Sequence, residues 1–161
     1  LKLRIGIDPG ISGAVAVLDE NLACVAAYEM PTMKMGKKQQ VNAAELARLL
    51  RIHTKWLQHD PTCVTAYLEL VAAMPGQGVT GMFNFGMSYG VVQGVLAALD
   101  VPTELVTPGT WKKRASLVGK EKDMARTKAQ MLYPTLNLGR KKDIGRADAL
   151  LIARFSGPGA P

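Results

Sequence analysis

Residues 3–18 read Leu3-Arg-Ile-Gly-Ile-Asp8-Pro-Gly10-Ile-Ser-Gly13-Ala-Val-Ala-Val-Leu18, and this stretch decides the fold class. Leu3, Ile5 and Ile7 alternate with Lys2, Arg4 and Gly6, the period-two pattern of a strand, until Asp8-Pro9-Gly10 breaks it. Residues 13–18 and 22–30 read as two more strands around the polar turn Asp19-Glu20-Asn21, so the chain opens as an antiparallel meander. Working outward, residues 31–41 contain Pro, Met and Lys without any period and are predicted to form a mobile loop. Asn42 is predicted to cap a helix reaching about residue 59, with Leu46, Leu49, Leu50 and Leu57 at helical spacing. A strand over 63–70 ends with Glu69. The turn Met74-Pro75-Gly76-Gln77-Gly78 then leads into an apolar helix to about residue 99. A short strand at 103–106, a basic helical region over 110–133 and a last helix over 144–155 complete the pattern. The fold class is therefore α/β, with a single domain over 1–155 and a flexible Gly/Pro tail at 156–161.

Composition narrows the function classes. The 161 residues are 48% hydrophobic and 20% charged, enough apolar content for one packed core. The net charge of +7 is concentrated. Residues 111–154 hold 12 Lys and Arg against four acids, a net +8, whereas the remainder sums to −1 and residues 57–110 contain no Lys or Arg. This asymmetry is the footprint of a polyanion-binding face, or else a solvated basic surface. Cys24 and Cys63 both lie in apolar strand-like runs, which argues against a disulfide framework and for a reducing, cytoplasmic setting in a bacterial or phage-infected cell, with an organelle as the alternative. No charged-then-apolar leader opens the sequence, so no signal peptide is expected, and Leu1 suggests a trimmed start. The 79–99 run contains Asn84, Ser88, Gln93 and four glycines, and reads as a buried helix rather than a membrane span. Gly86, Gly90 and Gly94 share one face of that helix, suited to close packing within the chain or across a dimer.

Three carboxylates occupy informative places. Asp8 and Glu69 each close a strand before a Gly-containing turn, and Asp148 sits in the apolar run Ala147-Asp148-Ala149-Leu150-Leu151. Ligand sites in parallel-type sheets lie beyond the carboxyl ends of the strands, so adjacent strands would bring Asp8 and Glu69 together. An acid within an apolar helix is costly unless paired or bound to a cation. Hard divalent cations take oxygen ligands and keep waters and substrate phosphates for the remainder, which suits carboxylates from distant positions. No competing metal set is visible: His53 and His59 fall on a helix expected at the surface, and the cysteines are far apart. The plain alternatives are a turn aspartate, a strand-end glutamate and a salt-bridged helix aspartate.

The string Ile5-Gly-Ile-Asp8-Pro-Gly-Ile-Ser-Gly-Ala-Val resembles the opening of RuvC-like Holliday-junction resolvases. Glu69 with Met74-Pro-Gly-Gln-Gly78, Phe85-Gly-Met-Ser-Tyr-Gly90, Pro108-Gly-Thr-Trp111-Lys-Lys113 and Lys141-Lys-Asp-Ile-Gly-Arg-Ala-Asp148 are similar to blocks of the phage and organellar branch of that family. The resemblance spans residues 5–155 in order. It implies a ribonuclease-H-like fold with a five-stranded mixed sheet and helices on both faces. It implies a metal-dependent, structure-selective endonuclease of DNA recombination and repair, acting as a homodimer on a four-way DNA junction, and the glycine face of the 80–99 helix is the expected dimer seam. Two Mg²⁺ per active site are implied, with Mn²⁺ as a substitute and no small-molecule cofactor or membrane. One metal would activate water and the other would stabilise the leaving 3′-oxygen.

Carried across residue by residue, Asp8, Glu69 and Asp148 match acidic ligands. The family's fourth ligand stands three or four positions before the last acid, where this chain has Gly145 and Ile144. Asp143 is the nearest substitute. It lies about 140° from Asp148 around an ideal helix and would converge only from a capping position, and the alternative is a plain helix cap. Lys142 is expected to neutralise the scissile phosphate. Lys112, Lys113, Arg114, Lys120, Lys122, Arg140, Lys141 and Arg146 are expected on the DNA backbone. Gly76, Gln77 and Gly78 with Phe83 and Phe85 would enter the junction and stack on bases, unless the phenylalanines are core. Two other readings stay open: a weakly active or inactive junction-binding protein, and a related nuclease acting on flaps or RNA–DNA hybrids. The sugar-kinase and actin-like ATPases share the strand–Asp–Gly opening but need two such domains.

Overall fold

A computed structural model describes residues 2–161. The opening meander forms as read, with β1 (Leu3–Asp8), β2 (Ala14–Leu18) and β3 (Cys24–Glu29) paired antiparallel. β6 (Val64–Glu69) lies parallel to β1 on its other side, and β7 (Thr103–Val106) lies parallel to β6. The resulting five-stranded mixed sheet has the order β3-β2-β1-β6-β7. Every residue of β2 is buried, and its side chains alternate between two cores, Ala14, Ala16 and Leu18 on one face and Val15 and Val17 on the other. Leu3, Ile5 and Ile7 face α1 (Ala43–Thr54) and α2 (Val79–Ala98). On the opposite face, Ala14, Ala16, Leu18 and Tyr67 pack with α3 (Pro108–Arg114), α4 (Lys122–Leu132) and α5 (Ile144–Phe155).

Four features depart from the sequence expectations. Residues 31–41 are not an aperiodic loop: β4 (Thr32–Met35) and β5 (Lys38–Val41) form an antiparallel hairpin, turned at Gly36 with φ +62°. The first helix is shorter than expected and places His53 inward, where it shares a 3.0 Å hydrogen bond with the Tyr28 hydroxyl. The basic region over 110–133 is two helices. Ser116 and Gly119 take left-handed backbone between them, and the Leu117 amide closes α3 by donating to the Lys112 carbonyl at 2.7 Å. The tail is tied down at its start: Ser156 is buried, Arg4 donates to the Ala153 and Ser156 carbonyls, and Arg114 donates to those of Phe155 and Gly157. No helix among the described residues is long and apolar enough to cross a membrane.

The approach of α5 to the sheet positions the site. A Cβ at Gly6 would lie 2.1 Å from the Ala149 carbonyl oxygen, and one at Gly145 would lie 2.3 Å from that of Ser12. Both glycines are there because helix backbone touches strand and turn backbone directly. The first turn of α5 thereby rests on the loop that follows Asp8.

Candidate active site

Asp8 and Glu69 end neighbouring parallel strands level with each other, one step beyond the Ile7–Leu68 pair, and Asp148 on α5 is close enough for its charge to act with theirs. The Asp8 carboxylate accepts the Gly10 amide at 3.5 Å, and the Gly13 amide donates to the Gly10 carbonyl at 2.8 Å, folding a tight turn beneath it. Glu69 is fixed by a residue the sequence reading did not single out for this role. Trp111, fully buried in α3, donates its indole N–H to Glu69 Oε2 at 2.7 Å. A hydrogen bond to a carboxylate in such a setting is worth about 1.5–3 kcal/mol and restricts the rotamer. The only clue was the position of Trp111 in the Pro108-Gly-Thr-Trp block.

Burial raises the proton affinity of all three acids, and acidic neighbours raise Asp8 and Asp148 further. Burial pushes the Asp8 carboxyl up to about 6, with Glu69 adding to the effect and the Gly10 amide, Lys122 and Lys112 opposing it. Burial, then Asp8, then Glu69 push Asp148 up to about 7 against Lys112 and Lys122. Glu69 is raised by burial, against the Trp111 hydrogen bond and Lys112. Three half-buried carboxylates that repel one another at the end of a sheet form a donor set suited to a hard divalent cation. Among the described residues no group of three or more His, Cys, Asp or Glu side chains is placed to hold a metal ion by itself. Mg²⁺ does not require one, because waters and substrate phosphate complete its shell.

Asp143 stands apart from this set. Its side chain is 0% exposed and is enclosed by arginines. It accepts the Arg140 amide at 2.8 Å, Arg140 Nη2 at 2.6 Å and Arg146 Nη2 at 2.8 Å. Those bonds hold its carboxyl well below the ordinary carboxylate range, the reverse of the other three. Asp143 thus closes the short 3₁₀ turn Lys141–Asp143 ahead of α5. The contact at Gly145 excludes any side chain at that position.

The predicted DNA-binding residues separate into groups. Lys112 and Lys122 are the lysines whose charge reaches Asp8 and Asp148. Lys142, expected at the scissile phosphate, instead pairs with Glu29 at 3.1 Å. Arg140 pairs with Glu29 and Asp143, whereas Arg114 and Arg146 donate to main-chain carbonyls, Arg146 to that of Asn137 at 2.6 Å. These arginines are committed to the fold. Lys113, Lys120 and Lys141 are exposed. Gly76 and Gly78 lie in the exposed loop ahead of α2, with Gln77 half-buried between them. Phe83 is 66% exposed, and the Phe85 ring borders the Asp8-Pro9-Gly10 turn, with its edge 3.8 Å from where a Gly10 Cβ would be.

A solved structure titled T. thermophilus RuvC in complex with Holliday junction substrate superposes with a TM-score of 0.60 over 95% of this chain and 90% of that one, at 17% identity. The fold is that of RuvC. It is the ribonuclease-H-like architecture that the sequence resemblance implied. Among curated proteins, the chain is 25% identical over 151 residues to the chloroplastic Holliday junction resolvase MOC1 of Chlamydomonas reinhardtii. That match takes in 82% of this chain and 17% of the relative, so the chain corresponds to a small part of that protein. No family model matches the sequence. The likeness to RuvC-like resolvases thus recurs in one sequence relative and in the fold.

Proposed function

We propose that this protein is a divalent-metal-dependent endonuclease that cuts four-way DNA junctions symmetrically as a homodimer. The observation that carries the reading is the convergence of Asp8, Glu69 and Asp148 at the carboxyl end of a RuvC-type sheet, each acid raised by the other two or by burial. Asp8, Glu69 and Asp148 would hold the metal, Mg²⁺ or Mn²⁺, which when bound supplies Lewis acidity toward water and the phosphodiester. Trp111 keeps Glu69 turned toward the site. Lys112 and Lys122 draw in the scissile phosphate and offset its charge. Lys113, Lys120 and Lys141 hold the flanking backbone, and the loop at Gly76-Gln77-Gly78 with Phe83 meets the junction centre. Backbone contacts position without reading sequence, so junction shape carries much of the selectivity. With Asp143 bound to arginine and Gly145 closed off, the site has three acids, and a second ion would depend on substrate phosphate.

The missing fourth acid also favours a second reading, a junction binder that cleaves weakly. One experiment separates the two. A synthetic four-way junction is incubated with wild type and Asp8→Asn, in Mg²⁺ and in chelator. Paired cuts by wild type in Mg²⁺ alone, with binding but no cleavage by the variant, support the nuclease. Binding by both proteins without any cleavage supports the binder. Cleavage by Asp8→Asn at the wild-type rate rules out this site.

A further inference from the structure

We propose that the β4–β5 hairpin is a second DNA-gripping element, a basic finger that seats in the groove of a duplex arm on the face of the sheet opposite α3 and α4. The proposal rests on the nuclease reading above and extends it to a surface that the motifs do not mark.

The finger is basic and uncompensated. Residues 30–44 contain Lys34, Lys37 and Lys38 and no acid. All three lysines are exposed, and none takes part in an ion pair among the described residues. Arg140 and Lys142 are already engaged by Glu29. Free lysines without neighbouring acids are the ones able to release counterions on meeting phosphate.

Its placement follows from the strand ladder. Asp8 pairs with Ala14, and Ala14 pairs with Glu29, so the end of β3 lies at the same sheet edge as the acids. The Met30 amide continues the ladder by donating to the Gly13 carbonyl at 3.0 Å, and the hairpin leaves from there. Its base is closed by the Asn42 amide donating to the Pro31 carbonyl at 2.8 Å. Met35 and Lys38 border a cleft with Phe83 and Met87, so the hairpin leans on the half of α2 that also carries Phe85 beside Gly10. Met30 and Val41 belong to the core on the α1–α2 face, whereas Trp111 and the elements bearing Lys112 and Lys122 lie on the other. The acids therefore sit between two basic elements, one on each face of the sheet.

Its shape suits a groove. Directly paired residues share a face of a ribbon, so Met35 and Lys38 lie on one side, and Lys34 and Gln39 on the other. Lys37 sits at the tip. A finger charged on both faces matches phosphates on both flanks better than a single flat anionic surface. The major groove of B-DNA, about 12 Å wide, admits a two-stranded ribbon.

The test uses the full chain and a fluorescent four-way junction, with binding titrated in chelator across a range of KCl. Variants are Lys34→Ala/Lys37→Ala/Lys38→Ala, Lys37→Ala alone, and Lys55→Ala as a control beyond the far end of α1. Each lost phosphate contact flattens the log–log salt slope by about 0.9. The triple variant is expected to lose about two to three units of slope and at least about tenfold in affinity at low salt. The Lys37→Ala variant is expected to lose about one unit, and Lys55→Ala none. Melting temperatures should stay unchanged. A wild type that binds with a steep slope, beside a triple variant of equal slope, overturns the finger and leaves the nuclease reading standing. A wild type with no salt-dependent junction binding overturns both.

Discussion

Asp143 and Asp148 are five residues apart and have opposite electrostatics. Asp143 is ionised at any ordinary pH because two arginines and an amide surround it, and Asp148 is pushed toward neutrality by burial and by two other acids. Asp143→Asn keeps an acceptor for the Arg140 amide but loses the charge, so it should lower the melting temperature by several degrees and leave the Mg²⁺ concentration needed for cleavage within about twofold. A large shift in metal requirement at unchanged stability would make Asp143 a ligand after all. The raised acids predict a pH dependence. Carboxyls whose folded-state affinity for protons exceeds the unfolded one hold protons that unfolding releases, so stability falls as pH rises through the interval between the two values. For Asp8 and Asp148 that interval runs from about 4 to about 6 and about 7. In chelator the melting temperature should therefore drop between about pH 4 and about pH 7. Saturating Mg²⁺ should reduce the drop by binding the ionised form, and Asp148→Asn should flatten the chelator curve. A flat wild-type curve in chelator would mean that burial and acidic neighbours do not raise Asp8 and Asp148. Asp143 acts in another window, contributing stability above its unfolded value of about 4 that is lost on acidification.

The elements show which parts of the molecule the sequence could disclose. The sheet was legible because β1, β2 and β6 are buried on both faces or alternate cleanly, and apolar pattern is the signal such strands carry. Asp8, Glu69 and Asp148 were legible because they interrupt those apolar patterns at strand ends and inside a buried helix. The hairpin at Thr32–Val41 was hidden because it is mostly exposed. Its methionines and lysines follow no burial period, and only Gly36 between two four-residue arms marked the turn. The division between α3 and α4 was hidden because Ser116 takes left-handed backbone, an uncommon conformation for a serine. The fate of Asp143 could not be read either. Whether an acid before a helix faces a metal or an arginine depends on Arg140, which the backbone folds onto it, and on Gly145, which fixes how deeply α5 rests on the Ser12–Gly13 turn. Sequence spacing holds the angle around the helix but not the depth of packing against the sheet.

At the scale of the whole molecule, α2 is the element whose surface is unfinished. Its inner side buries Ser88, Val92, Val95 and Leu96, while Gly86, Gly90 and Gly94 line an outer side where added Cβ atoms would meet nothing within 4 Å. Phe83 and Met87 extend that side with exposed apolar surface. Among the described residues nothing packs on the glycine face, which leaves it open to a second copy as the proposed dimer requires. Backbones can approach closely across glycines, and a two-fold axis there would present two acid clusters to opposite strands of one junction. Gly90→Leu tests this cleanly. A Cβ at Gly90 would meet nothing within 4 Å in its own protomer, and leucine is a better helix former than glycine by roughly 0.8 kcal/mol, so the fold should be kept or slightly stabilised. Across a close helix–helix seam the same side chain has no room. Wild type is expected to sediment as a dimer and to release both strands in paired cuts. The variant is expected to sediment as a monomer with an unchanged melting curve, and to leave singly nicked junctions. A wild type that remains monomeric on junction DNA, or a Gly90→Leu protein that dimerises and cuts in pairs, would move the seam elsewhere or remove it.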